Sequence, residues 1–198
     1  MKAGPVAGFL VITLRPPPYG ILFPSFEKGA SMELQRFQNL DIIVVCGLPG
    51  SGKSHFASAH FSGTGRLRVN RKELRRLLFE MTHFGQKWSE KEFASSDEFL
   101  VTHVERKIIE HFLQNHKKLL IDNTSMSGES RKHYLAIARQ AGKSIGAIFL
   151  DTPVAQCLQR NRGREDSIPE RVIANLAAEK ELPDVSEGYK DVLIVTNY

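Results

Sequence analysis

An octapeptide at residues 47–54 carries the clearest chemistry in the sequence. It reads Gly47-Leu48-Pro49-Gly50-Ser51-Gly52-Lys53-Ser54 and fits the pattern G-x-x-x-x-G-K-[ST]. Glycines let such a loop turn its backbone N–H groups inward, and the N-terminus of the following helix adds partial positive charge. The pattern predicts a phosphate-binding loop for ATP or GTP, lined by Leu48, Pro49, Gly50, Ser51 and Gly52. Lys53 is expected at the outer phosphates and Ser54 at a Mg²⁺ ion.

A carboxylate is the second candidate. Asp122 ends the apolar run Lys118-Leu-Leu-Ile-Asp122, and parallel strands would bring it to the same sheet edge as the loop. We expect Asp122 to hold Mg²⁺, directly or through water; the alternative is that it caps the turn into the next helix. The next three residues either contact the phosphate acceptor or form that turn; they are Asn123, Thr124 and Ser125.

A group of arginines is the third candidate. The segment Arg160-Asn-Arg-Gly-Arg-Glu-Asp166 lies at the end of a predicted helix, and we expect it to form a short exposed loop or lid with three guanidinium groups. Phosphoryl transfer spreads negative charge over phosphate oxygens, which a closing arginine can neutralise. Arg160 and Arg164 are the candidates for that role and for nucleotide binding. The alternative is a solvated basic loop.

Short β-branched runs alternate with helical segments from residue 41 onward, which indicates parallel strands joined by crossovers. The runs read as continuously apolar, as expected when both faces of a sheet are covered. The sequence therefore predicts an α/β domain of three layers with a mostly parallel sheet of about five strands. The predicted strands are Asp41–Cys46, Lys118–Asp122, Ser144–Leu150, Asp191–Thr196 and the shorter Leu67–Val69.

Composition and length fit one globular domain, with 198 residues, 41% hydrophobic and 25% charged. The formal net charge of +5 favours anionic ligands such as nucleotides or nucleic acid. Cys46 and Cys157 have no metal-ligand spacing and are interpreted as small buried hydrophobes of a reducing, cytoplasmic protein. No run reaches the roughly 18 apolar residues that would predict a membrane span.

Residues 1–38 differ from the rest because prolines interrupt their short apolar stretches. They are predicted to be a poorly ordered extension, with the domain covering residues 39–198; the alternative is an arm that packs on the domain or on a partner. The apolar stretch Gly8–Leu14 is followed by Arg15 and Pro16 instead of a small-residue cleavage site. A secretory signal is therefore not expected.

Taken together, these motifs resemble the P-loop kinases that include bacteriophage polynucleotide 5′-hydroxyl kinase and its AAA-like relatives. The resemblance covers residues 41 to about 196 and rests on six segments: 47–54, Val-Asn-Arg-Lys-Glu-Leu-Arg at 69–75, Ile-Asp-Asn-Thr-Ser at 121–125, Leu-Asp-Thr-Pro at 150–153, Arg-Asn-Arg-Gly-Arg at 160–164 and Glu-Gly-Tyr-Lys-Asp-Val-Leu-Ile-Val at 187–195. It implies transfer of the ATP γ-phosphate to a 5′-hydroxyl of RNA or DNA. By the same resemblance Arg164 is the lid arginine, and Arg75 matches an arginine that contacts an acceptor-side phosphate.

One position departs from the family pattern. The family has an acidic general base where this sequence has Lys72, and Glu73 stands one residue later. One residue rotates a helical side chain by about 100°, so Glu73 replaces the base only with a shift in register. A missing base removes typically about 10²–10⁴-fold in rate. Glu73 acting as the base, a weak kinase without one, and Lys72 contacting an acceptor phosphate all stay open.

Three functions compete at this point. The first is a kinase for nucleic-acid 5′ ends, supported by the resemblance and by a basic run at Arg66, Arg68, Arg71, Lys72, Arg75 and Arg76. The second is a kinase of the same fold for a nucleoside, sugar or other small hydroxyl compound. The third is a nucleotide-binding or RNA-end-binding module that has lost its base at Lys72.

Overall fold

The computed structural model describes residues 11–13, 28–89, 92 and 97–196. Its strands are β1 (Val11–Thr13), β2 (Ile42–Gly47), β3 (Leu67–Val69), β4 (Leu119–Asp122), β5 (Ile145–Asp151) and β6 (Asp191–Thr196). Its α-helices are α1 (Lys28–Gln38), α2 (Lys53–Phe61), α3 (Arg71–Thr82), α4 (Glu98–Gln114), α5 (Gly128–Gln140), α6 (Val154–Arg162) and α7 (Glu170–Ala178), and a 3₁₀ turn covers Val185–Glu187.

The six strands form one sheet in the order β1-β6-β5-β2-β4-β3. All five pairings are parallel, and the five predicted strands are all present within a residue of their predicted bounds. Strand β2 lies between β4 and β5, with Val44 opposite both Ile121 and Ala147. The predicted three-layer α/β fold is confirmed.

Two apolar layers cover the sheet, one on each face. On one face, residues such as Ile109 of α4 and Tyr134 of α5 pack against Val44. On the other, Phe37 of α1 and Phe56 of α2 pack against strand residues such as Ile43. Every residue of β2 is buried, which explains why its sequence reads as a continuous apolar run.

Part of the predicted extension lies in the domain's own layers. β1 is an edge strand in register with β6, Val11 opposite Ile194, and α1 buries Leu34 and Phe37 in the core. The boundary at residues 38 and 39 stays a prediction, and residues 1–10 and 14–27 lie outside the described residues.

Helix α6 runs through Arg162, and Pro153 occupies its N-cap position. The hydroxyl of Thr152, just before the helix, donates to Ser51 O at 3.1 Å. The expected loop of three guanidinium groups is therefore wrong for Arg160 and Arg162, which lie in the last turn of α6, and Arg164 alone follows the helix.

Both cysteines are free and buried, as predicted. Among the helices that the structure describes, none combines the length and the apolar character that crossing a membrane requires.

Candidate active site

The phosphate loop joins β2 to α2 and depends on glycine at close approaches. Gly47, Gly50 and Gly52 have φ values of +143°, +84° and +98°, a region that side-chain-bearing residues rarely adopt. A Cβ on Gly50 would also lie 2.5 Å from the carbonyl oxygen of Cys157 in α6. Gly47 N donates to Thr124 O at 3.0 Å, which ties the loop to the end of β4. The loop conformation therefore excludes a side chain at residue 50.

Lys53 begins α2 and folds back across the loop. Its Nζ donates to Gly47 O at 2.9 Å and to Leu48 O at 2.8 Å. Burial lowers the pKa of Lys53 to about 8, and the nearby charge of Asp122 offsets only part of that effect. The loop thus holds a partly desolvated cation beside backbone that can cradle phosphates.

Ser54 and Asp122 meet at the carboxyl ends of the central strands. Ser54 Oγ donates to Asp122 Oδ2 at 2.8 Å. The Asp122 side chain is fully buried, and its Oδ1 has no hydrogen-bond partner among the described residues. A buried carboxylate oxygen without a partner is costly unless an ion or water satisfies it.

These two side chains fit Mg²⁺. A hydroxyl and a carboxylate are hard oxygen ligands, and Mg²⁺ typically binds one or two carboxylates together with water and substrate phosphates. Within residues 28–89, 92 and 97–196 no cluster of three His, Cys, Asp or Glu side chains could hold a metal by itself. Phosphate oxygens of a nucleotide would therefore have to complete the coordination.

Arg68 is a site residue that sequence reasoning missed. Its Nε and Nη2 donate to Asp122 Oδ2 at 2.9 and 2.7 Å, and its Nη1 donates to Glu73 Oε1 at 2.8 Å. Nη2 also lies 3.4 Å from Ser54 Oγ. The alternation of side chains along β3 could have predicted its orientation. Leu67 and Val69 pack into the core on the α4 and α5 face of the sheet. Arg68, between them, therefore faces the opposite side, toward α2.

Two asparagines support this edge of the sheet. Asn70 caps α3, with its Oδ1 accepting from Glu73 N at 3.0 Å, and its Nδ2 donates to Asp122 O at 2.7 Å. Asn123 Oδ1 accepts from Arg71 N at 2.8 Å, and its buried Nδ2 donates to Glu105 Oε1 at 2.8 Å. Asn123 therefore joins α3 to α4 across the end of β4, which favours the structural alternative of the two that the sequence left open.

Arg71 and Arg75 of α3 both pair with acids of α4. Arg71 contacts Glu98 Oε2 at 2.8 Å and the buried Glu105 Oε2 at 2.7 Å, while Arg75 holds Glu98 through two donors. Burial alone would raise the pKa of Glu105, but the nearby His133, the charge of Arg71 and the hydrogen bonds from Tyr134 and Asn123 lower it overall. Arg75, predicted to contact an acceptor phosphate, is thus not brought into the group around Asp122.

Lys72 faces the segment after α6. Its Nζ lies 2.8 Å from Asp166 Oδ2 and 5.9 Å from the ring centre of Trp88. Arg164 Nε donates to the same carboxylate, at 3.0 Å from Oδ1. Partial burial would raise the pKa of Asp166, but the hydrogen bond and charge of Lys72 and the charge of Arg164 lower it. The segment that carries Arg164 is therefore tied to the start of α3.

Arg160 and Asn161 connect α6 to the neighbouring loops. Arg160 Nη1 donates to Gly50 O at 3.3 Å, so Arg160 reaches the back of the phosphate loop. The buried Asn161 exchanges two hydrogen bonds with the backbone of Ile168, at 2.8 and 3.0 Å. Asn161 thereby fixes both ends of the segment that carries Arg164.

Comparison with known proteins agrees with this geometry. Residues 42–183 match the family AAA_33, described as an AAA domain. The chain is 27% identical over 143 residues to L-seryl-tRNA(Sec) kinase of Methanococcus maripaludis, which covers 72% of this chain and 53% of the relative. It thus spans about half the length of that curated relative.

Solved structures share the fold. A candidate kinase of Chloroflexus aurantiacus J-10-fl has a TM-score of 0.63 and 15% identity, covering 80% of this chain and 86% of that one. A chain of the Pnkp1/Rnl/Hen1 RNA repair complex has a TM-score of 0.57 and 24% identity, covering 70% of this chain and 43% of that one. Because the family match extends over well more than half of the sequence, the chain belongs to the AAA domain family AAA_33.

Proposed function

We propose that this chain is an ATP- and Mg²⁺-dependent kinase that transfers the γ-phosphate to the 5′-hydroxyl end of RNA or DNA. One observation carries the donor half of this proposal: Ser54 Oγ and Asp122 Oδ2 lie 2.8 Å apart while the buried Oδ1 of Asp122 has no partner among the described residues. Ser54 directly follows the glycine-rich loop and its cation Lys53, and Asp122 meets it from the end of β4, as a phosphoryl-donor site requires.

Each donor-side residue has one task in this proposal. The loop from Leu48 to Gly52 binds phosphate oxygens through its backbone, and Lys53 exchanges its carbonyl partners for the outer phosphates. Ser54 and Asp122 hold Mg²⁺, which when bound neutralises charge on the β- and γ-phosphate oxygens. Arg164 leaves Asp166 to neutralise charge as phosphate transfers, and Arg160 steadies the loop at Gly50 O, 3.3 Å away.

Glu73 is the proposed base on the acceptor side. It is the carboxylate of α3 linked to Asp122 through Arg68, whereas Lys72 faces Asp166. Glu73 would accept the proton of the acceptor hydroxyl as the bond from that oxygen to the γ-phosphorus forms and the bond from that phosphorus to ADP breaks. Charge neutralisation and positioning carry most of such a transfer, and the base adds roughly 10²–10⁴-fold.

The choice of a nucleic-acid acceptor is supported by the curated relative, whose name gives a tRNA carrying an L-seryl group as its substrate, and by the net charge of +5. The basic run lends less support than its sequence suggested. Arg66 is buried and donates to five backbone carbonyls, and Arg71 and Arg75 pair with acids of α4. Arg76 remains exposed on α3.

The test is a transfer assay with labelled ATP and Mg²⁺. The acceptors are matched 5′-hydroxyl RNA and DNA oligonucleotides, the same oligonucleotides with a 5′-phosphate, and a panel of nucleosides and sugars. We expect label on the 5′-hydroxyl oligonucleotides alone, and none with the Lys53→Ala variant. Label confined to a small acceptor contradicts the nucleic-acid proposal, and tight ATP binding without transfer to any acceptor supports a binding module.

A kinase for a small hydroxyl compound is the second candidate, favoured by one cavity. A cavity of about 230 Å³ adjoins the phosphate loop at Leu48. It is lined mainly by apolar side chains, with the ion pair of Lys180 and Asp151 (2.6 Å) at its border. Apolar walls with a few polar groups are typical of small-molecule sites. The acceptor panel separates this candidate from the first.

A further inference from the structure

Arg68 bridges the two carboxylates on which the proposed reaction depends. Its guanidinium contacts Asp122 on one side, at 2.7 Å from Nη2, and Glu73 on the other, at 2.8 Å from Nη1. The planar guanidinium presents its N–H donors in a rigid fork, so it fixes the two carboxylates relative to each other. The Asn70 side chain also contacts both residues, but at their backbone groups, Asp122 O and Glu73 N, whereas Arg68 contacts their carboxylates.

The contact with Asp122 is one-sided. Both Nε and Nη2 donate to Oδ2, while Oδ1 stays buried without a partner among the described residues. A guanidinium that served only to neutralise a buried carboxylate would engage both oxygens in the common bidentate geometry. Here Arg68 leaves one oxygen for a metal and directs its remaining donor to α3.

The contact with Glu73 is not explained by stability. The side chains of Arg68 and Glu73 are 34% and 57% exposed, and pairs this exposed contribute little to the folded state. The backbone N–H of Glu73 is already held by the Asn70 cap. The guanidinium therefore adds orientation to a carboxylate whose backbone position is set by the start of α3.

We propose that Arg68 is a positioning residue that holds Glu73 in place for the acceptor hydroxyl and couples it to Asp122. This inference rests on the proposed function and explains how a chain with Lys72 at the expected base position retains a base. The side chain of Lys72 faces Asp166. Arg68 instead links Glu73 to Asp122, and Arg68 lies outside the six segments that resemble the P-loop kinases.

A double-mutant cycle tests the proposal with the full chain and the acceptor identified by the transfer assay. Glu73→Gln should lower kcat by about 10²-fold or more because it removes the base. Arg68→Gln should lower kcat by a similar factor while KM for ATP changes less than about threefold. The double variant should match Glu73→Gln within about threefold, because residues that act as a unit are not additive.

Two further variants guard against a purely structural effect. Arg68→Lys keeps a positive charge beside the buried Asp122 and should fold, but an ammonium lacks the fork, so kcat should stay at least about tenfold low. Arg106→Gln, which removes an exposed pair with Glu110 on α4, should leave kcat unchanged. Wild-type kcat in Arg68→Lys, or losses that multiply in the double variant, would overturn the proposal.

A binding measurement tests the coupling of Glu73 to Asp122 through Arg68 without any acceptor. Calorimetry measures how much Mg²⁺ increases the affinity of the protein for ADP. Glu73→Gln should reduce this gain about threefold when Arg68 is present, because the released guanidinium pairs more fully with Asp122. The same substitution should have no effect in the Arg68→Gln background. Equal effects in both backgrounds contradict the coupling, even if the wild-type chain transfers phosphate to no tested acceptor and the proposed function itself fails.

Discussion

The proposed donor side and the proposed acceptor side of this site differ in what holds them in place. The phosphate loop is backbone, shaped by glycines with φ values up to +143° and fixed at the end of a fully buried strand. The acceptor side is a set of ion pairs between the side chains of α3 and acids of α4 and of the segment after α6. The loop takes its shape from its own backbone and is tied to its neighbours at Gly47 and Gly50, whereas each ion pair depends on two charged side chains.

The two sides of the site therefore differ in how many amino-acid substitutions they can tolerate. Any change at residue 50 meets the backbone of Cys157 at 2.5 Å, so the loop tolerates little substitution. On α3, Lys72 pairs with Asp166 and Glu73 pairs with Arg68. Under the proposed function, we expect substrate specificity to change more readily among these side chains than at the phosphate loop.

The largest expected effect lies on the donor side. Lys53→Ala removes the cation that contacts Gly47 O and Leu48 O, and we expect kcat to fall about 10³-fold because a fixed charge at the transferring phosphate is lost. Single-turnover transfer measures this, with Arg106→Gln as the control. A loss below tenfold would mean that the loop binds phosphate without contributing to transfer.

The difference between a contiguous backbone loop and ion pairs from distant elements also explains which parts of the site could be predicted from the sequence. Residues 47–54 are contiguous and Asp122 ends an apolar strand, so the motif and the strand pattern were sufficient to predict the donor side and the parallel sheet. The partners on the acceptor side are far apart: Arg68 and Asp122 by 54 positions, and Lys72 and Asp166 by 94. Periodicity indicates which face of an element is buried, but not which charged side chains meet across elements.

The second prediction concerns the structural support of the acceptor side. Glu105 of α4 is 1% exposed and accepts from Arg71, Asn123 and Tyr134 at 2.7–2.9 Å. Glu105→Ala leaves a partly buried guanidinium without its closest carboxylate, so we expect a loss of about 3 kcal/mol. For a chain of this length that loss lowers Tm by about 6–12 °C in calorimetry.

The matched control for Glu105 is on the same helix. Glu110→Ala removes the exposed pairs with Arg106 and Lys107 and should leave Tm nearly unchanged. If both variants lowered Tm equally, the buried network around Asn123 would not be what holds α3 against α4.

A smaller effect should follow pH on the donor side. The pKa of Lys53 is lowered to about 8 by burial, so the free loop loses its cation as pH rises through 8, while bound phosphates would raise that pKa again. ADP affinity should therefore fall about tenfold between pH 7 and pH 9, the loss expected when only the protonated lysine binds phosphate. Lys53→Arg, whose guanidinium stays protonated, should give a flat profile by calorimetry, and a flat wild-type profile would contradict the shifted pKa.

The smallest expected effect is at the position where the family has its base. Lys72→Asp places a carboxylate at that position but also opposite Asp166, which now lies 2.8 Å from Lys72 Nζ. The double variant Lys72→Asp, Asp166→Asn removes the repulsion between the two carboxylates, so a change in its kcat reports the effect of the new carboxylate at residue 72. If Glu73 held by Arg68 already serves the acceptor hydroxyl, kcat of the double variant should stay within about threefold of wild type, since a second base adds little once one is in place. A tenfold or greater rise in steady-state transfer would instead mean that the acceptor side lacks a base and that the ion pair between Glu73 and Arg68 is only structural.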